Sequence, residues 1–363
     1  MKRLSGLLGM MVVLSAGCTE PPPELAPVWR WEIEPLATVR SMVRLDDGGA
    51  VLTLWGSYWS VVRLGADGVV RWTVSLPVPD VLTNGPSVAV TGDGTFVAVY
   101  PTSNTPDNEP SCRAIRLDDT GSELSAFDYA YGCLDVVGAP DGGFIIGTGR
   151  RQAGEPLEPH DIVSLGPDGA IRWAVALGDC RFVSVQAADG GQLFAGMYIQ
   201  DCDPDGQPIL GTTRPWLGSL EISSGELTWE HQGDIAGSFK HTTHVAPLAS
   251  IVVALESDLE EATRLRGVYR TDGTEPWRIE SAGRLFRRIG AVDGAHVVAG
   301  GVEDGVPMLW MYDEGGDAVG AWIVDRYFGP IAPLAAAGDR SVLVFSATED
   351  LSQVSVDRYQ LPP

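Results

Sequence analysis

Residues 223–233 read SSGELTWEHQG, and two earlier stretches have the same form, DGVVRWTVSL at 67–76 and DGAIRWAVAL at 168–177. A glycine turn, a few residues and then a tryptophan inside an alternating apolar and polar run mark the return strand of a tight hairpin. Aromatics after such turns recur at Trp31, Trp72, Phe127, Trp173, Trp229, Trp277 and Trp322, 41 to 56 residues apart. A period of that size, filled only by short alternating runs, predicts one four-stranded antiparallel sheet per repeat, the blade of a β-propeller.

The third repeat shows the strands most plainly. LDVVGAP at 134–140 leads through a DGG turn into FIIGTG, and DIVSLG leads through a PDG turn into AIRWAVAL. Asp-Gly pairs at 67–68, 141–142, 168–169, 189–190 and 272–273 supply the positive φ that two-residue hairpins need. The one helix-like patch is ESDLEEATRLR at 256–266, with Glu260 four residues before Arg264, and it falls where a loop between two strands is expected. Sets of three strands start near 38, 80, 132, 180, 238, 284 and 328, and the last set ends at RYQLPP with no outer strand after it. PVWRWEIEP at 27–35 is an outer strand with no blade before it. The expectation is an all-β fold, a single seven-bladed propeller over 28–363 whose amino-terminal strand completes the last blade and removes two sheet edges.

At the amino end, Lys2 and Arg3 precede an uncharged, mostly apolar stretch from Leu4 to Gly17. This is the pattern of a secretory signal, 1–17, and it is shorter than the roughly 18 apolar residues of a spanning helix. LSAGC at 14–18 resembles the lipobox of bacterial lipoproteins, which implies cleavage before Cys18 and its lipidation; Thr19 after it implies the outer membrane rather than the inner. TEPPPELAP follows, so 18–27 is expected to be an extended spacer that tethers the domain to the bilayer. Anchoring is then through lipid alone, in the cell envelope, on a monomer.

The 25 basic residues fall to 23 without Lys2 and Arg3, against 48 acidic, a net charge near −25. That sign argues against nucleic acid or anionic headgroups as partners. GELTWE at 225–230, GVVRWT at 68–73 and GAIRWA at 169–174 resemble the quinoprotein-type propeller repeat, in which an outer-strand tryptophan packs over the neighbouring blade. Such repeats occur in quinone-cofactor dehydrogenases, which have eight blades, a calcium beside the cofactor and often adjacent cysteines, and this chain has none adjacent. They also occur in the propeller lipoprotein of the outer-membrane barrel-assembly machinery, which binds its partner through propeller loops but likewise has eight blades, so that only the general idea of an envelope interaction scaffold carries over. The second resemblance implies a non-enzymatic envelope scaffold with no cofactor, for a protein or glycan partner. A carbohydrate-active hydrolase or lyase in the central funnel is the competing expectation.

Few residues offer chemistry. In DCDPDGQ at 201–207, Asp201, Asp203 and Asp205 precede Gly206 at the spacing of a calcium loop, although position twelve is Thr212 and not glutamate. Four cysteines permit three connectivities; their placement in loops of one face favours Cys112 with Cys133 and Cys180 with Cys202, each loop contributing roughly 3 kcal/mol. His241 and His244 in KHTTH fall on opposite strand faces by simple alternation, which argues against a metal pair. The sequence has no GxSxG string or P-loop, and Asp46-Asp47 and Glu260-Glu261 are adjacent residues, not a glycosidase pair. Trp55, Tyr58 and Trp59 cluster at one hairpin of the first blade, where one is expected in the core and two exposed ones would form a partner-binding anchor.

Overall fold

The computed structural model describes residues 21–362 except 34–36, 79–84, 103–110, 130–131, 149–160, 179, 205–208, 210, 234–240, 258–262, 281–282, 329–333, 337–338 and 349–352. Among the described residues there is no helix, so none is long and apolar enough to cross a membrane. Seven antiparallel sheets stand in a ring. Blade 1 comprises Ala37–Arg44, Ala50–Gly56, Trp59–Leu64 and Val70–Leu76, and blades 2 to 6 repeat this order out to the strand Ala318–Ile323. First strands lie innermost, each against the next, and that of blade 7 meets that of blade 1.

The ring closes as the spare strand requires. Trp29–Ile33 pairs antiparallel with Val354–Gln360, third strand of blade 7, from Trp29 opposite Arg358 to Ile33 opposite Val354. On the other side of that sheet Ser341–Ala347 pairs with an interrupted inner strand, Tyr327–Phe328 and Leu334–Ala336. Arg30 reaches from the closing strand to Asp357 at 2.7 Å and to Asp325 at 2.7 Å, and Arg326 reaches back to Glu32 at 3.0 Å.

Four outer strands are pinned to the next blade by a tryptophan. Trp72, Trp173, Trp229 and Trp277 donate Nε1–H to the carbonyls of Asp119, Ile222, Arg270 and Glu314, at 2.7–2.8 Å. Each of these carbonyls sits in the turn between third and fourth strands of the following blade. The ring faces lie over the turn glycines: a Cβ on Gly121 would come within 2.8 Å of Trp72, and one on Gly273 within 2.9 Å of Trp229. Those glycines therefore serve twice, for positive φ and for close approach. In the closing strand the pinning residue is Trp29, over Gly68 with Nε1–H to Ala66 O at 2.8 Å, and not Trp31. Register decides it, because Trp29 stands on the blade 1 side of the strand at the height of the blade 1 turn. Trp322 is also displaced by two residues; Gly320 occupies the equivalent position and the indole of Trp322 covers it.

Apolar side chains fill the seven gaps between blades, one cluster per gap. The gap between blades 4 and 5 holds only six buried apolar residues, among them Phe194, Trp229 and Val252. On the strands Ile251–Ser257 and Thr263–Tyr269, the face that starts with Val252, Ala254 and Val268 continues outward with Glu256, Arg264 and Arg266, all buried. Arg264 and Arg266 donate to Glu256, the latter at 3.2 Å, and Arg266 reaches Glu275 at 3.3 Å. Glu256 and Arg264 are cross-strand partners, so the two strands expected on either side of this patch run on into it, to Ser257 and from Thr263; Glu260 lies outside the described residues.

The spacer reading also changes. Leu25 N–H donates to Ile323 O at 2.8 Å and Ile323 N–H to Pro23 O at 3.0 Å, a parallel bridge on the outer edge of blade 6. Leu25 packs against the cluster between blades 6 and 7. An outer strand has an unpaired row of N–H and C=O groups, and Ile323 finds its partner in the chain that leads into the closing strand. Pro23–Leu25, inside the expected spacer, are thus docked on blade 6.

Candidate functional site

Loops that join blades, and those that join second to third strands, emerge on one face, here called the entry face; tight Asp-Gly turns occupy the other. Both disulfides lie at the entry face, with the pairing expected: Cys112–Cys133, Cα atoms 5.5 Å apart, and Cys180–Cys202, 5.9 Å apart. The first ties the third strand of blade 2 to the lead-in of blade 3. The second ties the lead-in of blade 4 to the loop after its second strand.

The sequence candidates separate in the structure. Trp59 is 1% exposed and packs between blades 1 and 2, so it cannot meet a partner. Alternation sends it inward beside Val61, because the hairpin ends one residue before it. Trp55 is half-buried over Gly85, and Tyr58 alone of the three is exposed. The carboxylate of Asp201 is taken by Arg214 at 3.0 Å, Asp205 lies outside the described residues, and no metal-binding group forms among the described residues. The alternation argument for the two histidines is modified by a β-bulge between Thr242 and His244. His241 turns to the ring of Tyr198, edge-on at 4.8 Å, and His244 lines the central channel.

Tyr198 also stacks on Phe182, with ring centroids 4.6 Å apart. Phe182, Tyr198 and His241 are half-buried at the entry-face ends of blades 4 and 5, beside the Cys180–Cys202 bridge. No short motif marks this stack; it needs the pairing of Phe182 with Tyr198 across two strands.

The central channel is a cavity of about 330 Å³ lined by every first strand, for example by Arg40, Ser87, Asp135, Gln186, His244, Ile289 and Leu334. Bulges shape it. Register shifts follow Val39, Val185, Thr242 and Phe286, so blades 1, 4, 5 and 6 carry extra residues Arg40, Gln186, Thr243 and Arg287. A bulge leaves its extra residue out of the ladder and re-aims side chains. Arg40 faces Asp135 at 3.5 Å, Ser184 donates to Asp135, and Gln186 donates to Ser184 Oγ at 2.7 Å. Next to this chain Arg288 is buried; burial first, then the charges of Arg40 and Arg287, push its guanidinium down to about 9. Burial, then Arg288 and Arg40, hold the His244 imidazole well below its ordinary value.

That shift has a sign in stability. A histidine whose folded pKa lies below its unfolded value near 6.5 adds stability that is present above pH 6.5 and lost as pH falls. His231 is lowered too, by burial and then by Arg266. The two predict a loss of up to about 1.4 kcal/mol per pH unit for each below pH 6.5. Denaturant titrations at pH 7 and 5 are expected to show the decline, and His244→Gln to reduce its slope by about half.

No family model and no curated protein matches this sequence. Solved structures do match over nearly the whole chain. The WD40 repeats of RRP9 align at 11% identity, covering 93% of this chain and 99% of that one, with a TM-score of 0.61. The WD40 propeller domain of Doa1 aligns at 10% identity, 92% and 96% coverage and 0.56, and the C-terminal WD40 domain of Sif2 at 11%, 94%, 99% and 0.54. The fold is that of WD40-type propellers. At such identity the likeness carries fold and not activity.

Proposed function

We propose that the protein is a bacterial envelope lipoprotein whose propeller is a non-catalytic scaffold, holding a protein or polymer partner on its entry face. The observation that carries this reading is the placement of both disulfides on that face, one of them, Cys180–Cys202, beside the Phe182, Tyr198 and His241 stack. Cross-linked loops lose less entropy on binding, and half-buried aromatics supply contact area at low rotamer cost. The leader, the lipobox-like LSAGC and the quinoprotein-type tryptophan repeat support the envelope assignment, in line with the barrel-assembly lipoproteins that such repeats resemble. With Pro23–Leu25 docked on blade 6, four residues separate Cys18 from the domain. At about 3 Å each they hold the rim of blades 6 and 7 close to the lipid. The hydrolase alternative asks for two carboxylates across a substrate; among the described residues that line the channel, Asp135 is the one carboxylate.

The test is capture from detergent-solubilised envelope by the purified protein, beside Phe182→Ala/Tyr198→Ala and a turn-face control, Val69→Ser/Ile171→Ser. Enrichment of one component that falls at least tenfold in the first variant and persists in the control is the expected result. Loss in the control alone, or no capture by folded protein from envelope or from a parallel glycan array, overturns the reading.

A further inference from the structure

We propose that the cleft between blades 3 and 4 on the turn face receives an arginine side chain of a partner protein, between Asp141 and Glu221 and against Trp173. The site lies opposite the entry face and does not depend on the scaffold reading. What points to arginine is how the chain fills the other junctions. In blades 1, 2 and 7 the third strand carries an arginine near its turn-face end, paired with the aspartate at the first hairpin of its own blade: Arg63 with Asp47, Arg116 with Asp93 and Arg358 with Asp339. Arg116 and Arg358 also cross to the following blade, donating to Pro167 O and Ala66 O in the turn between its third and fourth strands. Between blades 4 and 5 the guanidinium comes from the other side, where Arg270 of blade 5 pairs with Asp189 of blade 4 over the ring of Phe194. Between blades 6 and 7, Arg340 reaches back to Met311.

At the junction of blades 3 and 4 the third strand supplies no such group. Register puts Ser164 where blade 1 has Arg63, since each stands opposite the outer-strand tryptophan, Trp173 and Trp72. Serine cannot span from sheet to turns as arginine does, and the junction holds a cavity of about 350 Å³, lined among others by Asp141, Arg172 and Trp173 of blade 3 and by Gly191, Glu221 and Ser223 of blade 4. Asp141 is met by Arg172 from the outer strand of its own blade. The Glu221 carboxylate accepts hydroxyl donors alone among the described residues, from Ser223 at 2.8 Å and Ser224 at 3.2 Å. Two carboxylates against one guanidinium leave the cavity one negative charge in excess. A second guanidinium balances it, because its plane stacks on an indole and its donor fork meets a carboxylate two bonds at a time. The volume is at the small end of ligand pockets, enough for one long side chain.

The experiment is an NMR titration of the purified full chain, isotope-labelled at tryptophan, that follows the indole N–H of Trp173, which donates to Ile222 O in the cavity wall. The probes are a blocked Gly-Arg-Gly tripeptide, the same peptide with lysine or citrulline in place of arginine, and free arginine. The arginine peptide is expected to shift the signal saturably, the lysine peptide to bind at least threefold more weakly, and the citrulline peptide, alike in shape but uncharged, at least tenfold more weakly. Glu221→Gln should weaken the arginine peptide fivefold or more, whereas Asp128→Asn on blade 2 should leave it unchanged. Ser164→Arg recreates blade 1, where Arg63 and Arg71 share a turn face on Asp47 and Asp67; it should abolish peptide binding and melt no lower than wild type. Absence of a saturable shift up to about 10 mM peptide, equal affinity for the citrulline peptide, or full binding by folded Ser164→Arg overturns the proposal. Tenfold tighter binding of free arginine than of the peptide also overturns it, in favour of a small-molecule site. If Ser164→Arg does not melt cooperatively, Glu221→Gln decides, and unchanged affinity there overturns the proposal.

Discussion

Glu256→Ala is expected to lower the unfolding free energy by about 3–5 kcal/mol. Glu256 is 2% exposed, and its carboxylate is the shared acceptor of Arg264 and Arg266, which are 7% and 2% exposed. Alanine leaves two guanidinium groups facing each other without their common counter-charge. Glu275 relieves Arg266 in part, but it is also bound to Arg278 at 2.7 Å. Burial raises the Glu256 pKa in spite of both arginines, so desolvation of the carboxylate outweighs what the two guanidinium groups return to it. That leads to a second, opposite expectation: Glu256→Leu/Arg264→Leu/Arg266→Met should recover most of the loss, since replacing a whole buried ionic cluster is often neutral or better. Urea unfolding of the single and triple variants measures both. A loss under 1 kcal/mol in the single variant, or a triple variant weaker than the single, would falsify this account of the gap between blades 4 and 5.

Blade number, strand order and closure were legible because they rest on signals that tertiary context rarely overrides. A hairpin of this kind demands positive φ, hence Asp-Gly, and a pinning indole demands a fixed distance from that glycine. The same logic misplaces Trp31, because two tryptophans alternate in WRWEI and only three-dimensional register selects Trp29. The channel was not legible. Its lining depends on bulges, and a bulge is one extra residue that leaves no mark on composition while it breaks the two-residue alternation from which Arg40 and His244 would be assigned a face. The ionic gap was obscured for a related reason: Glu256 and Arg264 are eight residues apart in sequence but paired across a hairpin, while Glu260 stands at the tempting helical distance. Pro23–Leu25 reads as spacer by composition and is bound by an edge that sequence alone does not reveal.

A chain that starts at residue 37 is expected to lose the monomeric propeller altogether. Trp29–Ile33 is the outer strand of blade 7, and without it the edge of Val354–Gln360 faces solvent with its ladder groups open, a template for association with other chains. Asp357, 0% exposed, loses Arg30, its one basic partner among the described residues, and retains only hydroxyl donors, Ser346 at 2.6 Å among them. The apolar gap between blades 7 and 1 loses Ile33 and the packing of Trp29 and Trp31. Arg326 loses Glu32, and the blade 1 turn loses the Trp29 indole over Gly68. These losses fall on one seam, so they do not spread over the ring; they open it. Size-exclusion chromatography should show oligomers in place of a monomer, and the cooperative thermal transition should vanish. A synthetic peptide of residues 21–36 added in excess should restore monomer and transition, because the groove between blades 6, 7 and 1 is built to receive it. Arg30→Ala in the intact chain isolates the electrostatic part and should cost about 3–5 kcal/mol, the scale for stranding one buried charge. A truncated chain that stays monomeric and melts within a few degrees of the intact protein would mean that blade 7 stands on three strands, and that the amino-terminal strand decorates the ring without closing it.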